Sequence, residues 1–418
     1  MSRPTGEGRP PGYRDLFVLV EYRAVVTASA LSWAGDYLCR AAVALLVFDR
    51  TGSVFASAAA FALGYLPWLT AGPLLAALAE RYPARSVMIS CDLARMVLIG
   101  LIAIPGVPVP VMLVLLFAGE LLAPPFEAAR SAQLPRILTG DRYPLGVAFN
   151  NSIYNLGQVV GYAAGGVIAG YSPHVALLLD AVTFACSALL LRRYVKPRPA
   201  TLAATRRAGL WRETRQGYTL VFGHPLMRVI ALISFGVVSF VIVPEGLAAA
   251  WASQLGGGGA AQGLIMAANP LGVAIGGLIL TRLLRPGTRA RLIRPLAVLA
   301  PLSLAPALFD PPLAGALVMA GASGMAMSLL LPAAQGLFQQ VLPDDYRARA
   351  HGVMSGGIQI AQGTAVLATG ALSEHFSTST VIGAWCTAGA LLMVLVTFRP
   401  ISRPETPTLV SATAEETP

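Results

Sequence analysis

The chain alternates between long apolar stretches and short polar connections along nearly its whole length. A helix needs about 20 apolar residues to cross the hydrocarbon core of a bilayer. The alternation therefore predicts twelve membrane-spanning helices. Their predicted bounds are 24–48, 54–79, 86–104, 109–129, 146–169, 174–191, 227–250, 262–284, 292–308, 313–333, 350–372 and 379–397.

Composition supports this prediction. Of the 418 residues, 56% are hydrophobic and only 12% are charged, and the mean hydropathy is +0.67. Soluble domains carry roughly a quarter charged residues, so we expect an integral membrane protein. The net charge of +10 could indicate nucleic-acid binding, but the positions of the basic residues argue against such a partner. The four cysteines lie inside apolar stretches, and their spacing predicts neither a metal site nor a disulfide framework.

The basic residues concentrate on alternate connections. The even-numbered connections carry arginines, for example Arg81 and Arg85, whereas the odd-numbered ones are nearly free of positive charge. Only Arg40 and Arg50 depart from this rule. Because positive residues stay on the cytoplasmic side, the pattern predicts that both termini are cytoplasmic.

The two halves of the chain resemble each other weakly. A shift of 204 residues places Gln158 on Gln362 and Gly166 on Gly370. An offset close to half of the chain is what a parallel duplication of a six-helix unit predicts. We therefore expect two six-helix bundles related by a pseudo-two-fold axis along the membrane normal. The predicted organisation is a disordered cytoplasmic N-terminus (1–15), an N-terminal bundle (16–192), a cytoplasmic linker with an amphipathic helix (193–226), a C-terminal bundle (227–398) and a disordered cytoplasmic tail (399–418).

The connection between the second and third predicted helices has the sequence Ala76-Ala-Leu-Ala-Glu80-Arg81-Tyr-Pro83-Ala-Arg85. It resembles the G-x-L-A-D-R-x-G-R-R loop of the major facilitator superfamily. Glu80 stands where the family has Asp, and Pro83 stands where it has the second Gly. The resemblance implies an all-α fold of twelve membrane helices that moves small molecules by alternating access.

In this family the loop clamps the two bundles together on the cytoplasmic side. The resemblance therefore implies a conformational role for Glu80, Arg81 and Arg85. Asp92 and Arg95, near the inner end of the third helix, would belong to the same network. The alternative is a topology signal whose charges are solvated.

Two further segments, Leu31-Ser-Trp-Ala-Gly-Asp36 and Cys91-Asp92-Leu-Ala-Arg95, resemble the exporter branch that contains macrolide efflux pumps and the enterobactin exporter. Drug:proton antiporters also carry G-x-x-x-G-P-x-x-G-G in the fifth helix, and here Tyr162 replaces the proline. The glycines of this pattern would permit close packing between the bundles. They are Gly157, Gly161, Gly165 and Gly166.

Ionisable residues within the apolar stretches are the candidate site residues. Each costs about 2.5–3.5 kcal/mol at the centre of a membrane helix, so each needs a reason to be there. Glu120 is our first candidate for proton coupling and Asp36 the second, with pairing of Glu120 to Arg40 as the structural alternative. Asp36 and Arg40 are four residues apart, so an ion pair within one helix is a second alternative. Glu245, beside the helix-loosening Pro244, is a candidate outer gate or cation-binding residue.

The sequence thus predicts a proton-coupled exporter of small amphipathic molecules, such as a drug, a siderophore or a secondary metabolite. Its expected partners are a small-molecule substrate, protons and the lipid bilayer, and we expect a monomer in a bacterial cell membrane. An importer or a lysophospholipid transporter on the same fold remains an alternative. A membrane-embedded enzyme is disfavoured because the four histidines are scattered and no phosphate-binding loop is present. We expect no cofactor and no metal.

Overall fold

The computed structural model describes residues 12–69, 75, 81–200, 210–283, 286–341 and 347–398. Within these residues the chain is almost entirely helical and contains no β-strand. The predicted all-α fold is therefore confirmed. Twelve helical crossings can be followed, six on each side of the linker, and we number them span 1 to span 12.

The N-terminal half contains spans 1 to 6. Of the residues predicted for span 2 beyond Leu69, only residue 75 belongs to the described part of the chain. Span 4 bends at Leu121 and then continues to Ile137, well beyond its predicted end at residue 129. The bounds are Val20–Thr51 for span 1, Val54–Ala62 and Leu66–Leu69 for span 2, Ala84–Ile102 for span 3, Val109–Glu120 and Ala123–Ile137 for span 4, Arg142–Tyr171 for span 5 and Pro173–Tyr194 for span 6.

The C-terminal half contains spans 7 to 12. It follows the linker helix Leu210–Gly223, which lies where the sequence predicts an amphipathic helix. Span 7 is interrupted on both sides of Pro244, as expected of a residue that cannot donate a backbone hydrogen bond. The bounds are Pro225–Val241, Val243–Gly246 and Ala248–Gln254 for span 7, Gly259–Leu283 for span 8, Pro286–Leu302 with the 3-10 turn Ala305–Phe309 for span 9, Leu313–Val341 for span 10, Arg347–Leu372 for span 11 and Thr378–Phe398 for span 12.

Eight of these spans are long and apolar enough to cross a membrane by themselves. Spans 5 and 11 are long but more polar, because they carry asparagine, glutamine and serine side chains that face the interior of the protein. Span 3 carries two arginines and an aspartate. The less apolar spans are therefore those that supply polar groups to the interior.

A short helix, Tyr13–Phe17, precedes span 1. Its Leu16 is fully buried and packs with Tyr22 and Leu138 in a small apolar cluster. The last three residues of the segment predicted to be disordered, 13–15, thus lie in this helix. Residues 1–11 and 399–418, also predicted to be disordered, lie outside the described residues.

The two halves share one apolar core at only one end. We call the membrane face where span 1 begins the termini side and the face where it ends the far side. On the far side, Phe61 and Tyr162 of the first half belong to the same buried cluster as Trp251 of the second. On the termini side, Met88 and Met227 belong to separate clusters, one for each half. The halves therefore meet on the far side and diverge on the termini side.

Glycines form the closest contact between the halves. A Cβ on Gly166 of span 5 would lie 2.4 Å from the Gly259 carbonyl oxygen and 2.4 Å from Gly263 Cα of span 8. A Cβ on Gly370 of span 11 would lie 2.6 Å from Ala58 Cβ of span 2. Backbone therefore touches backbone between spans 5 and 8, as small residues allow in membrane proteins.

Hydrogen bonds between the two halves also hold the far side closed. Gln262 of span 8 donates from Nε2 to the carbonyl oxygen of Ala41 in span 1, at 3.0 Å and fully buried. Glu374, between spans 11 and 12, accepts from Ser53 Oγ at 2.8 Å and from the Phe55 backbone N–H at 2.7 Å. The carboxylate of one half thus caps the first turn of span 2 in the other half.

We predict that Gly166→Val opens the far side. The added side chain cannot fit against the span 8 backbone, and overpacking of this kind costs about 1–3 kcal/mol. Spin labels at the exposed positions Asp49 and Phe309, one in each half on the far side, should report a longer distance in the variant. Gly100→Val is the matched control, since nothing lies within 4 Å of its added Cβ. Identical distance distributions in the native protein and Gly166→Val would contradict this interpretation.

Candidate functional site

A cavity of about 830 Å³ lies between the two halves. Its lining starts in the middle of the spans, at Arg40 and Tyr162, and continues toward the termini side as far as Arg130, Gln335 and His351. Because the halves are in contact on the far side, the cavity opens toward the termini side.

The two halves contribute different chemistry to this cavity. The N-terminal half supplies three acids and three arginines, together with aromatic side chains. Among the described residues of the C-terminal half, Glu245 is the only acid in the lining, and amides supply most of the other polar groups. The charged residues of the first half are Asp36, Arg40, Arg95, Glu120, Glu127 and Arg130, and the amides of the second are Asn269, Gln335, Gln359 and Gln362.

Asp36 of span 1 pairs with Arg95 of span 3. The two guanidinium nitrogens contact the two carboxylate oxygens, with Nη1 to Oδ2 at 3.3 Å. The guanidinium carbon also lies 4.5 Å from the centre of the Phe184 ring. This bidentate pair fixes spans 1 and 3 to each other. The alternative ion pair between Asp36 and Arg40 within span 1 is not formed, and Arg95 lies at the cavity rather than with the loop.

Arg40 pairs instead with Glu120 of span 4, at 3.3 Å from Nη2 to Oε2. Its guanidinium carbon lies 5.7 Å from the ring centres of both Tyr37 and Tyr65. Gly64 makes room for this group, because a Cβ there would lie 2.8 Å from Arg40 Cζ. The pairing of Glu120 with Arg40, which was the structural alternative, is therefore present in this conformation.

A third charged group lies nearer the cavity mouth. Glu127 accepts from Trp33 Nε1 at 3.0 Å and from Arg130 Nη2 at 2.6 Å. The Arg130 guanidinium lies 4.9 Å from the centre of the Trp33 ring. Sequence analysis missed both residues as site residues: Arg130 lies just beyond the predicted end of span 4 at residue 129, and Glu127 lies inside the predicted span but was not singled out. A continued helical spacing from Glu120 to Glu127, seven residues apart on one face, is the signal that could have found them.

Tyrosines form the wall between the charged groups. The Tyr37 and Tyr154 hydroxyls are hydrogen bonded to each other. The Tyr37 ring also packs at 4.9 Å, edge to face, against Tyr162, and Tyr154 packs at 5.2 Å against Trp33. Tyr162 replaces the proline of the family pattern, and its side chain is 1% exposed. The substitution therefore adds an aromatic side chain to the floor of the cavity.

Glu245 lies in the interrupted part of span 7 and is 5% exposed. Its Oε2 has no hydrogen-bond partner among the described residues. The Tyr162 hydroxyl and the Arg40 guanidinium of the opposite half interact electrostatically with its carboxylate. Glu245 therefore lies on the floor of the cavity, facing the charged wall of the first half.

Asp92 and Asp180 lie behind the cavity wall and do not line it. Asp92 accepts from Ser187 Oγ at 2.6 Å, and Asp180 accepts from Thr183 Oγ1 at 3.2 Å. Each keeps one carboxylate oxygen that is buried and unpaired within the described part of the chain. Asp92 is thus close to Arg95. It is separated from Arg81 and Arg85, the loop residues that the sequence assigns to the same network.

The loop residues are only partly described. Glu80 lies outside the described residues, and Arg81 is exposed. Arg85 donates to the backbone carbonyl of Arg192, at the end of span 6. The structure therefore brings Asp36, Arg40, Glu120, Arg95 and Glu245 to one cavity and leaves Arg81 and Arg85 at the surface on the termini side.

The glycines of span 5 have two roles. Gly161 and Gly165 would each place a Cβ within 2.9 Å of span 1 backbone, which is in the same half, and Gly157 faces the same helix. Only Gly166 contacts the other half, as described above. The close packing expected between bundles is thus carried by one of the four glycines.

Within the described residues, no group of three His, Cys, Asp or Glu side chains is arranged to hold a metal ion.

A cavity between two six-helix halves, closed on one side of the membrane, is the architecture of a membrane transporter. Residues 25–321 and 246–418 match the family model described as Major Facilitator Superfamily. The chain belongs to this superfamily, and it is a transporter rather than an enzyme. No curated protein matches the chain in sequence.

Solved transporters share this fold. A variant of the nucleoside transporter NupG superimposes with a TM-score of 0.73 at 12% identity, over 91% of this chain and 98% of that one. A POT family transporter in complex with 5-aminolevulinic acid gives a TM-score of 0.70 at 10% identity, over 93% and 97%. The peptide transporter POT in complex with sulfate gives 0.70 at 13% identity, over 93% and 95%. At these identities the likeness establishes the fold, so the twelve-span major facilitator architecture is confirmed.

We predict that Gly64→Val disrupts the contact of Arg40 with Glu120, because the new side chain occupies the space of the guanidinium. The variant should unfold at a lower temperature than the native protein in detergent micelles. Gly64→Val should lower the unfolding temperature less when Glu120→Gln is already present. Substitutions that affect one shared interaction have non-additive effects on the free energy of unfolding, typically by about 0.5–3 kcal/mol. Gly100→Val serves again as the control. Additive effects of Gly64→Val and Glu120→Gln would show that Gly64 acts independently of the ion pair.

Proposed function

We propose that this transporter exports small amphipathic molecules in exchange for protons, and that the termini side is the cytoplasm. The arginines at the termini-side ends of spans 1, 3, 4 and 6 support this orientation, since far fewer basic residues lie on the far side. In this orientation the cavity is open to the cytoplasm, the compartment from which an exporter takes its substrate.

The charge balance around the cavity carries the proposal of proton coupling. Four buried acids and the half-buried Asp36 lie at or behind the cavity wall, but among the described residues only two guanidinium groups lie at the same depth. An acid in a low-dielectric interior is stable only if it is paired or neutral, so at least one of these groups is suited to exchange a proton. The acids are Asp36, Asp92, Glu120, Asp180 and Glu245, and the bases are Arg40 and Arg95.

Glu120 remains our first choice for the coupling residue, and Asp36 the second. Glu120 reaches Arg40 through one hydrogen bond of 3.3 Å, whereas two bonds hold Asp36 to Arg95. Protonation of Glu120 would remove the negative charge that holds Arg40 and so allow Arg40 to turn toward Glu245 in the other half. A proton or a cationic substrate at Glu120 would thus change the charge that faces the second half.

The lining supports an amphipathic substrate. Tyrosine and tryptophan rings supply broad apolar faces with polar edges, and the glutamines of spans 10 and 11 can hydrogen bond to several kinds of polar group. A cavity of about 830 Å³ is in the range of drug-sized ligands. An importer or a lipid transporter would use the same fold, and the direction of proton movement separates these possibilities.

We predict that Glu120→Gln abolishes gradient-driven transport while substrate exchange persists. Everted membrane vesicles are energised by respiration, and their pH gradient is followed with acridine orange during addition of a panel of lipophilic cations and neutral amphiphiles. At least one compound should dissipate the gradient in vesicles with the native protein and not in vesicles with Glu120→Gln. Asp49→Asn is the matched control, because Asp49 is an exposed acid at the far end of span 1.

Three results would contradict this proposal. Uptake that continues after an uncoupler has collapsed the gradient would exclude proton exchange. A native protein that dissipates the gradient with no compound of the panel would exclude the proposed substrate class. Normal gradient-driven transport by Glu120→Gln would exclude Glu120 as the coupling residue. Asp36, the second choice, would then be the next residue to substitute.

We predict that the far-side bond of Glu374 does not respond to pH in the physiological range. The Phe55 amide and the Ser53 hydroxyl hydrogen bond to the carboxylate and hold the pKa of Glu374 below its ordinary value, with His375 adding to the effect. A contact that depresses a carboxyl pKa is complete above the ordinary value and is lost as the pH falls through the depressed one. The distance between labels at Asp49 and Phe309 should therefore stay constant from about pH 5 to pH 8 and lengthen in more acidic solution.

Glu374→Gln separates this bond from the cavity acids. The variant should lengthen the same distance at neutral pH and remove the change in acid. If the distance in the native protein changes near neutral pH and the change survives in Glu374→Gln, the responsible group lies elsewhere, in agreement with a cavity acid.

A further inference from the structure

A second pocket, of about 650 Å³, lies at the termini-side ends of spans 1, 3, 4 and 6. It shares no lining residue with the central cavity. Six basic side chains and one acid line it. The basic residues are Arg85, Arg136, Arg192, Arg193, Lys196 and Arg198, and the acid is Glu21.

The acid in this pocket is already paired. Glu21 accepts from Arg198 Nη1 at 2.9 Å and Nη2 at 2.7 Å, and from the backbone N–H of Lys196 at 2.7 Å. Glu21 and Arg198 therefore neutralise each other and fix the chain that follows span 6. The remaining five basic side chains have no acid in the pocket lining.

Two of these arginines are held in place by neutral groups. Arg85 donates to the backbone carbonyl of Arg192, and Arg136 donates from Nη1 to the carbonyl of Pro199 at 2.8 Å. A carbonyl oxygen orients a guanidinium but leaves its positive charge uncompensated. The Arg85 Nε is also buried and has no partner in the part of the chain that the structure describes. Charges of one sign that are gathered in this way favour an anion with several acceptor oxygens.

The surroundings of the pocket are apolar and exposed. Val18 and Val20 line it and are 75% and 48% exposed. Span 6 carries exposed Leu189 and Val182 above its basic end, and span 3 carries exposed Val97. Exposed apolar faces on membrane spans contact lipid chains, so the basic ring lies where a lipid headgroup would be.

We propose that this pocket binds a phosphate group, and that the phosphate is the headgroup of an anionic phospholipid. The arginines surround the phosphate, and the acyl chains follow the apolar faces of spans 3 and 6. Basic pockets between membrane helices are suited to anionic headgroups for the same electrostatic reason. The site joins four spans of the N-terminal half, so the bound lipid holds their termini-side ends together.

The test uses the full chain, purified and stripped of lipid in detergent. Phosphatidylglycerol, phosphatidylcholine or inorganic phosphate is added, and the midpoint of thermal unfolding and the lipid retained in native mass spectrometry are recorded. Phosphatidylglycerol should raise the midpoint and remain bound, whereas phosphatidylcholine and inorganic phosphate should have little effect. In Arg192→Gln/Arg193→Gln the affinity for phosphatidylglycerol should fall roughly 30-fold, as expected when two cations are lost at a membrane surface.

The matched control removes the same charge from the same side of the protein. Arg23 and Arg228 are exposed on the termini side and do not line the pocket. Arg23→Gln/Arg228→Gln should therefore bind phosphatidylglycerol like the native protein. An equal loss of affinity for phosphatidylglycerol in both double variants would show that only the net charge of the protein matters, and it would overturn the proposed site.

Two other outcomes would also overturn the proposal. If inorganic phosphate raises the midpoint as much as phosphatidylglycerol, the ligand is a soluble phosphate and not a lipid. If phosphatidylcholine is retained as well as phosphatidylglycerol, the apolar faces and not the arginines bind the lipid. Because the readout is the response to lipid, a general loss of stability in the arginine variant does not mimic the expected result.

Discussion

A charged side chain costs several kcal/mol in the centre of a bilayer unless another group neutralises it, and span 1 carries two such side chains. Asp36 turns to Arg95 of span 3, and Arg40 turns to Glu120 of span 4. The two pairs therefore fix span 1 to two neighbours at once, span 3 and span 4. The depth of the cavity, the charge of its wall and the packing of the first half all follow from this arrangement.

Small residues make these pairs possible. Gly64 leaves the space in which the Arg40 guanidinium lies, and Gly35 lies so close to Asp180 that a Cβ would be 2.2 Å from its Oδ1. Gly161 and Gly165 let span 5 approach the other face of span 1. Polar groups and glycines thus depend on each other here, because a side chain larger than hydrogen at these positions would displace a charged group or separate two helices.

The sequence was sufficient for the fold and for part of the site. Twelve apolar stretches and the loop before span 3 predicted the architecture, and Asp36, Glu120 and Glu245 could be found because an ionisable group in an apolar stretch is conspicuous. Their partners could not be found in this way, since pairing across helices depends on how each helix is rotated. Arg130 is missed for a related reason: a charge after an apolar stretch predicts the end of a span, whereas span 4 continues and places the partly buried Arg130 beside Trp33.

The placement of the ion pairs also bears on how the halves can move. Three of the four ion pairs among the described residues join groups of the N-terminal half, the fourth joins Glu21 of that half to Arg198 of the linker, and none joins the two halves. The contacts between halves are the shared apolar cluster, glycine backbone packing, the amide of Gln262 and the cap made by Glu374. Separation of the halves on the far side would therefore expose apolar side chains, backbone and amide groups, but it would not break any of these four ion pairs. Because none of these ion pairs joins the two halves, the halves can separate and close again without the free-energy cost of breaking one.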